Sequence, residues 1–99
     1  MTDEKSGKEE HRKAVVEITN QRGLHARASA KFVETVARYT CEITVSKDGT
    51  SVSGRSIMGL MMLGASKGSV IELLAEGSDS KSAMQELLLL IRSKFYEDQ

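Results

Sequence analysis

Ninety-nine residues, with 14 basic and 14 acidic side chains and no formal net charge, suit one small domain that buries roughly 60 to 65% of its unfolded-chain surface. A neutral chain with two tyrosines, two phenylalanines and no tryptophan lacks the basic or aromatic platform of a nucleic-acid module and the charge excess that draws a protein to an anionic membrane. The single cysteine, Cys41, excludes an intramolecular disulfide and a multi-cysteine metal centre, while no apolar run reaches the roughly 20 residues of a membrane span and no signal-like N-terminus is present, which argues for the cytoplasm.

Residues 2–13 carry eight charged side chains and no apolar one, too little to offset the entropy of ordering. Residues 1–13 are therefore expected to form a flexible tail, with His11 solvated, and residues 14–99 the folded domain. Ala14, Val16 and Ile18 alternate with Val15, Glu17 and Thr19, the period of a half-buried strand, and Asn20 to Gly23 supply turn chemistry. Phe32, Val33, Val36 and Tyr39, set against Lys31, Glu34, Thr35 and Arg38, predict an amphipathic helix from Ala26 to Tyr39.

Cys41 reads as a small core residue at a strand start. Ile43 and Val45 alternate with Glu42 and Thr44, and Lys47, Asp48 and Gly49 turn the chain into Val52, an antiparallel hairpin. Ser56 is placed to cap a short helix to Leu63, closed by Gly64. Val70 to Ala75 forms a further strand, ended by Gly77. Asp79 or Ser82 then caps a last helix, whose stripe of Met84, Leu87, Leu88, Ile91 and Phe95, widened by Leu89 and Leu90, belongs to the core. The order β-α-β-β-α-β-α specifies an α+β domain, a four-stranded antiparallel sheet with three helices on one face.

Gly23, Leu24, His25, Ala26 and Arg27 seat a histidine where the first strand hands over to a helix. A helix start presents backbone N–H groups without intrahelical partners and the positive end of the helix dipole, a ready anion site. A nucleophilic nitrogen there could hold a phosphoryl group, and the dipole favours the neutral imidazole that attack requires. Arg27 is a first-turn cation opposed by the dipole by roughly 0.3 to 1 kcal/mol, a placement that suits an anionic guest or a compensating carboxylate. The short helix is apolar on nearly every face. Leu60 and Leu63 suit the core, which leaves Ile57, Met58 and Met61 as an exposed patch near His25.

Two stretches, Gly23-Leu24-His25-Ala26-Arg27 and Arg55-Ser56-Ile57-Met58-Gly59-Leu60, resemble the two motifs of the HPr phosphocarriers, and the element order from Ala14 to Phe95 is that of the family. The resemblance implies an open-faced sandwich, a monomer, and a place in the bacterial phosphoenolpyruvate-dependent phosphotransferase system. Enzyme I would phosphorylate His25 on Nδ1, and the phosphate would pass to A-type domains of enzyme II proteins. The chain would be a relay component with no metal or organic cofactor, not a stand-alone catalyst. The amides of Ala26 and Arg27 and the Arg27 guanidinium would stabilise the phosphohistidine. Ile57, Met58 and Met61 would dock partners, since methionine adapts to differently shaped surfaces.

Ser56 would also be the serine that HPr kinase/phosphorylase modifies in many family members. Its phosphate would be held by the helix start and Arg55, and would place about −2 charge on the docking surface. One departure stands out. The family usually has proline after the motif arginine, and here Ala28 follows, which restores an N–H and loosens the first turn. That weakens assignment to the sugar-transport carriers and leaves room for the nitrogen-related branch. A hydrolase reading lacks a carboxylate partner evident by spacing. The alternative that stands is an HPr-like regulatory binding module, controlling target proteins according to its phosphorylation state.

Overall fold

Seven elements follow one another in the computed structural model, which describes residues 11–97. They are β1 (His11–Glu17), α1 (Ala26–Val36), β2 (Glu42–Lys47), β3 (Thr50–Ser53), α2 (Ile57–Met62), β4 (Val70–Glu76) and α3 (Ser80–Arg92), followed by a short 3-10 turn at Lys94–Tyr96. The sheet is antiparallel throughout, in the order β1-β4-β2-β3. Ala14 stands opposite Leu73, Leu73 opposite Val45, and Val45 opposite Val52, so one apolar row crosses all four strands, as period-two alternation requires. Phe32 and Val36 of α1, Leu60 of α2 and Leu87 and Ile91 of α3 are fully buried in the same core. α3 packs on β1 and β4, α1 lies against α3, and α2 packs on α1 and β3. No helix among the described residues is long and apolar enough to cross a membrane.

Several boundaries differ from the sequence reading. β1 begins at His11, so His11, Arg12 and Lys13 pair with Glu76, Ala75 and Leu74 and do not belong to a tail. Strand pairing uses backbone groups, and charged side chains suit an edge strand; Lys13 pairs with Glu72 at 3.5 Å. The rest of the expected tail, residues 1–10, lies outside the described residues.

α1 stops at Val36, short of Tyr39. The carbonyls just beyond it face Arg55, whose Nη2 donates to Tyr39 O at 3.0 Å and Cys41 O at 2.9 Å, so a cation from another element closes this helix end. Tyr39 is half-buried and donates its hydroxyl to Glu86.

Asp79, not Ser82, marks the start of α3. Its carboxylate does not cap its own helix; it accepts from Thr40 N–H at 2.7 Å, Cys41 N–H at 2.9 Å and the Thr40 hydroxyl at 3.2 Å. The Thr40 amide leads these bonds in holding the carboxyl below the usual range. Leu89 is exposed while Leu90 is buried, so only one of the two widens the stripe. α3 ends at Arg92, before Phe95: Lys94, Phe95 and Tyr96 take φ of 57°, 56° and 57°. This left-handed turn still drives the Phe95 ring wholly into the core and brings Glu97 back to His25 at the start of α1.

Candidate functional site

The turn before α1 is fixed by a backbone contact that tolerates no side chain. Gly23 has φ +65°, and a Cβ there would stand 2.4 Å from Ala65 O. Beside it, Leu24 N–H donates to Ala65 O at 2.9 Å and His25 N–H to Gly23 O at 2.9 Å. The chain then enters α1 with His25 at the N-cap, φ −78° and ψ −177°. Ser29 N–H makes the first helical bond to His25 O at 2.9 Å, and α1 begins at Ala26 with Ala28 fully buried.

The His25 ring is held on both nitrogens. Arg27 N–H donates to Nδ1 at 3.3 Å, and Nε2 lies 2.5 Å from Glu97 Oε2. Glu97 is in turn held by Asn20, whose Nδ2 donates to Glu97 Oε1 at 3.1 Å and to Gly23 O at 2.9 Å. Burial pushes the Glu97 carboxyl up, and the bonds from His25 and Asn20 outweigh it, so the group sits below the usual carboxylate range. An ionised carboxylate only accepts hydrogen bonds, so Nε2 carries the ring proton and Nδ1 the lone pair. The nitrogen left with its lone pair is the one at the helix start.

Arg27 is exposed in a first turn that contains no acidic residue, so no carboxylate of that turn compensates it. Arg22, Leu24 and His25 line a shallow groove with Gly64, Ala65 and Ser66, the segment that follows α2. A second cation thus stands beside the histidine.

Ser56 caps α2 as expected, its Oγ accepting from Gly59 N–H at 2.9 Å. Arg55 is engaged with the carbonyls after α1, so the expectation that it would help hold a phosphate on Ser56 does not fit this arrangement. On α2, Leu60 is buried while Ile57, Met58 and Met61 are 41, 69 and 41% exposed. Met62 extends this patch at 77%.

The sequence reading missed Asn20, Glu97 and Arg22. Asn20 carried only a turn signal, and Glu97 is 72 residues from His25, where no local pattern could link them. Arg22 alone had a usable signal, as a cation just before the motif.

Residues 12–93 match the family described as PTS HPr component phosphorylation site. The chain is 51% identical over 85 residues to the phosphocarrier protein HPr of Neisseria meningitidis serogroup A, covering 86% of this chain and 96% of that protein. It is 44% identical over 79 residues to the HPr-like protein Crh of Halalkalibacterium halodurans, covering 80% and 94% respectively. The crystal structure of HPr-C-His from Thermoanaerobacter tengcongensis superposes with a TM-score of 0.85 at 45% identity, covering 89% of this chain and 99% of that one.

Proposed function

The chain belongs to the HPr family of phosphocarriers, and from that premise we propose that it accepts a phosphoryl group on His25 Nδ1 from phosphoenolpyruvate-charged enzyme I and passes it to A-type domains of enzyme II proteins. The observation that carries this reading is the N-cap imidazole, with Nδ1 facing the Arg27 amide at 3.3 Å. When Nδ1 bonds phosphorus it can no longer accept that N–H, which becomes free for a phosphoryl oxygen. The amides of Ala26 and Arg27 and the Arg27 guanidinium then meet the new negative charge with charge-assisted hydrogen bonds. Little covalent chemistry is asked of the protein, since positioning and electrostatics carry most phosphoryl transfer.

Ile57, Met58 and Met61 form the docking patch, on a helix whose following loop shares the His25 groove. An exposed apolar cluster at this place supports a surface that engages differently shaped donors and acceptors in turn. Ser56, at the head of the same helix, is the control site: a phosphate there would be stabilised by the helix start and would place negative charge within the docking patch. The relay would operate in the cytoplasm.

Phosphorus NMR of the chain with enzyme I and phosphoenolpyruvate tests the reading. An acid-labile phosphohistidine that is absent in His25→Ala and discharges to an A-type acceptor supports it. No phosphohistidine with either sugar-type or nitrogen-type enzyme I sinks it and leaves the regulatory binding module.

A further inference from the structure

Sulfur is unevenly distributed over this chain. It has five methionines and one cysteine, and Met1 lies outside the described residues. Met84 is packed into the core at 6% exposure, whereas Met58, Met61 and Met62 of α2 stand 69, 41 and 77% open to solvent. Met61 and Met62 lie three and four residues beyond Met58, so the three side chains are neighbours on the helix surface. Their thioethers form one exposed cluster, just before the loop that shares the His25 groove. Cys41, the sulfur an oxidant would ordinarily reach first, is withheld. It is 2% exposed, and burial, followed by its bond to Asp79, pushes the thiol up to about 11, which leaves almost no reactive thiolate near neutral pH. Among the described residues, the exposed sulfur is therefore confined to the six residues of α2.

We infer that Met58, Met61 and Met62 form a reversible oxidation site, at which hydrogen peroxide converts the thioethers to sulfoxides and so makes the docking patch polar. The inference rests on the docking role proposed for α2. In the forward step a sulfur lone pair attacks one peroxide oxygen, and the O–O bond breaks with its electron pair leaving on the other. That second oxygen takes the proton of the transferred one and departs as water. Sulfur is oxidised by two electrons and the peroxide is reduced by two. The reverse step belongs to a thiol-dependent methionine sulfoxide reductase, whose thiol pair becomes a disulfide while the sulfoxide oxygen leaves as water. Oxidation turns a flexible apolar side chain into a polar one with an exposed acceptor. A partner that buries this oxygen without supplying a donor bears the cost of an unpaired polar group. The helix keeps its place, because Leu60 anchors it in the core while the modified atoms face solvent.

The test treats the full chain with dilute hydrogen peroxide and follows oxygen uptake by peptide mass spectrometry. Met58 and Met62 should each gain one oxygen at a rate near that of free methionine, and Met61 more slowly. Met84 should react at least about tenfold more slowly than Met58, and Cys41 should stay a thiol. The oxidised chain should bind enzyme I at least about tenfold more weakly by calorimetry, and should recover on treatment with two methionine sulfoxide reductases, one for each epimer. Phosphoramidate is a small donor that needs no docking surface, so it should load His25 at the same rate before and after oxidation. The combined variant Met58→Leu, Met61→Leu and Met62→Leu keeps the patch apolar and removes its sulfur; peroxide should not change whatever affinity for enzyme I that variant has. Oxidation of Met84 or Cys41 as fast as of Met58 would overturn the inference. Undiminished enzyme I binding by the oxidised wild type, an equal loss in the leucine variant, or an equal fall in phosphoramidate loading would do so as well. An untreated wild type that enzyme I fails to bind would instead defeat the docking reading, while selective oxygen uptake on α2 would still mark the modification site.

Discussion

Gly23→Ala should be among the most damaging single substitutions near the site, and the reason is local. The added methyl would stand 2.4 Å from Ala65 O and 2.7 Å from Ser66 Cα, and both obstacles are backbone, so neither can rotate aside. Holding an alanine at φ +65° costs about 1 kcal/mol. Displacing the Ala65 carbonyl forfeits the bond from Leu24 N–H, about 0.5 to 1.5 kcal/mol, and repacking a tight contact adds about 1 to 3 kcal/mol. A total near 3 to 4 kcal/mol is a large part of the roughly 5 to 15 kcal/mol that stabilises such a domain. Gly49→Ala is the internal control, since Gly49 has φ +83° but nothing within 4 Å of its added Cβ, and only the conformational cost of about 1 kcal/mol applies. Urea unfolding followed by circular dichroism reads both. With a slope of about 1 to 1.5 kcal/mol per molar, the midpoint should fall by about 2 to 4 M for Gly23→Ala and by about 1 M or less for Gly49→Ala. Equal falls for the two variants would refute the steric argument.

If the exposed face of α2 docks enzyme I as proposed, Met58→Glu should weaken that binding at least about tenfold by calorimetry, because a charge enters an apolar patch, while the unfolding free energy stays within about 0.5 kcal/mol. Arg55→Ala should destabilise by about 1 to 2 kcal/mol in urea despite the exposure of Arg55, because two carbonyls beyond α1 lose a charged donor; an unchanged midpoint would show that water replaces it freely. Asp79, Glu86 and Glu97 have folded-state pKa values below their ordinary 3.8, 4.5 and 4.5. The unfolded state therefore binds more protons on the acid side, so their stabilisation is present above about pH 4.5 and lost as the pH falls through the lower folded values. On the alkaline side, burial and the nearby Asp79 raise the Cys41 thiol from 9.0 to about 11. Stability is full below about pH 9 and declines toward about pH 11, and Cys41→Ala should flatten that decline in part, leaving the share from Tyr39, which is also raised, chiefly by its bond to Glu86. Unfolding midpoints across pH check both limbs.

The strands, the N-cap histidine, the Ser56 cap and the exposed face of α2 were legible because each is written in residues close together in the chain. Alternation in Ala14 to Ile18 and in Glu42 to Val45 fixes which face is buried, and Ser56 needs only Gly59 to act as a cap. The end of α3 was not legible, because Phe95 follows Ile91 at helical spacing and reaches the core equally well from a left-handed turn. An apolar pattern records burial, not the backbone path to it. The start of α3 was ambiguous for a related reason: Asp79 serves Thr40 and Cys41, a role set by residues almost forty positions away. Half of the histidine's environment was readable in Arg27, while the half supplied by Asn20 and Glu97 exists only once the chain has folded.

The first strand pairs with the last, Val16 opposite Ile71, and β1 stays an unpartnered ribbon until β4 has been synthesised. A nascent chain thus displays His25 early, but without the sheet beneath it or the carboxylate across from it. Contacts that span nearly the whole chain make folding depend on late, non-local closure. Completion of the His25 surroundings is therefore coupled to translation through residue 97, and a ribosome-bound fragment lacking the final segment would carry the motif without its full set of contacts.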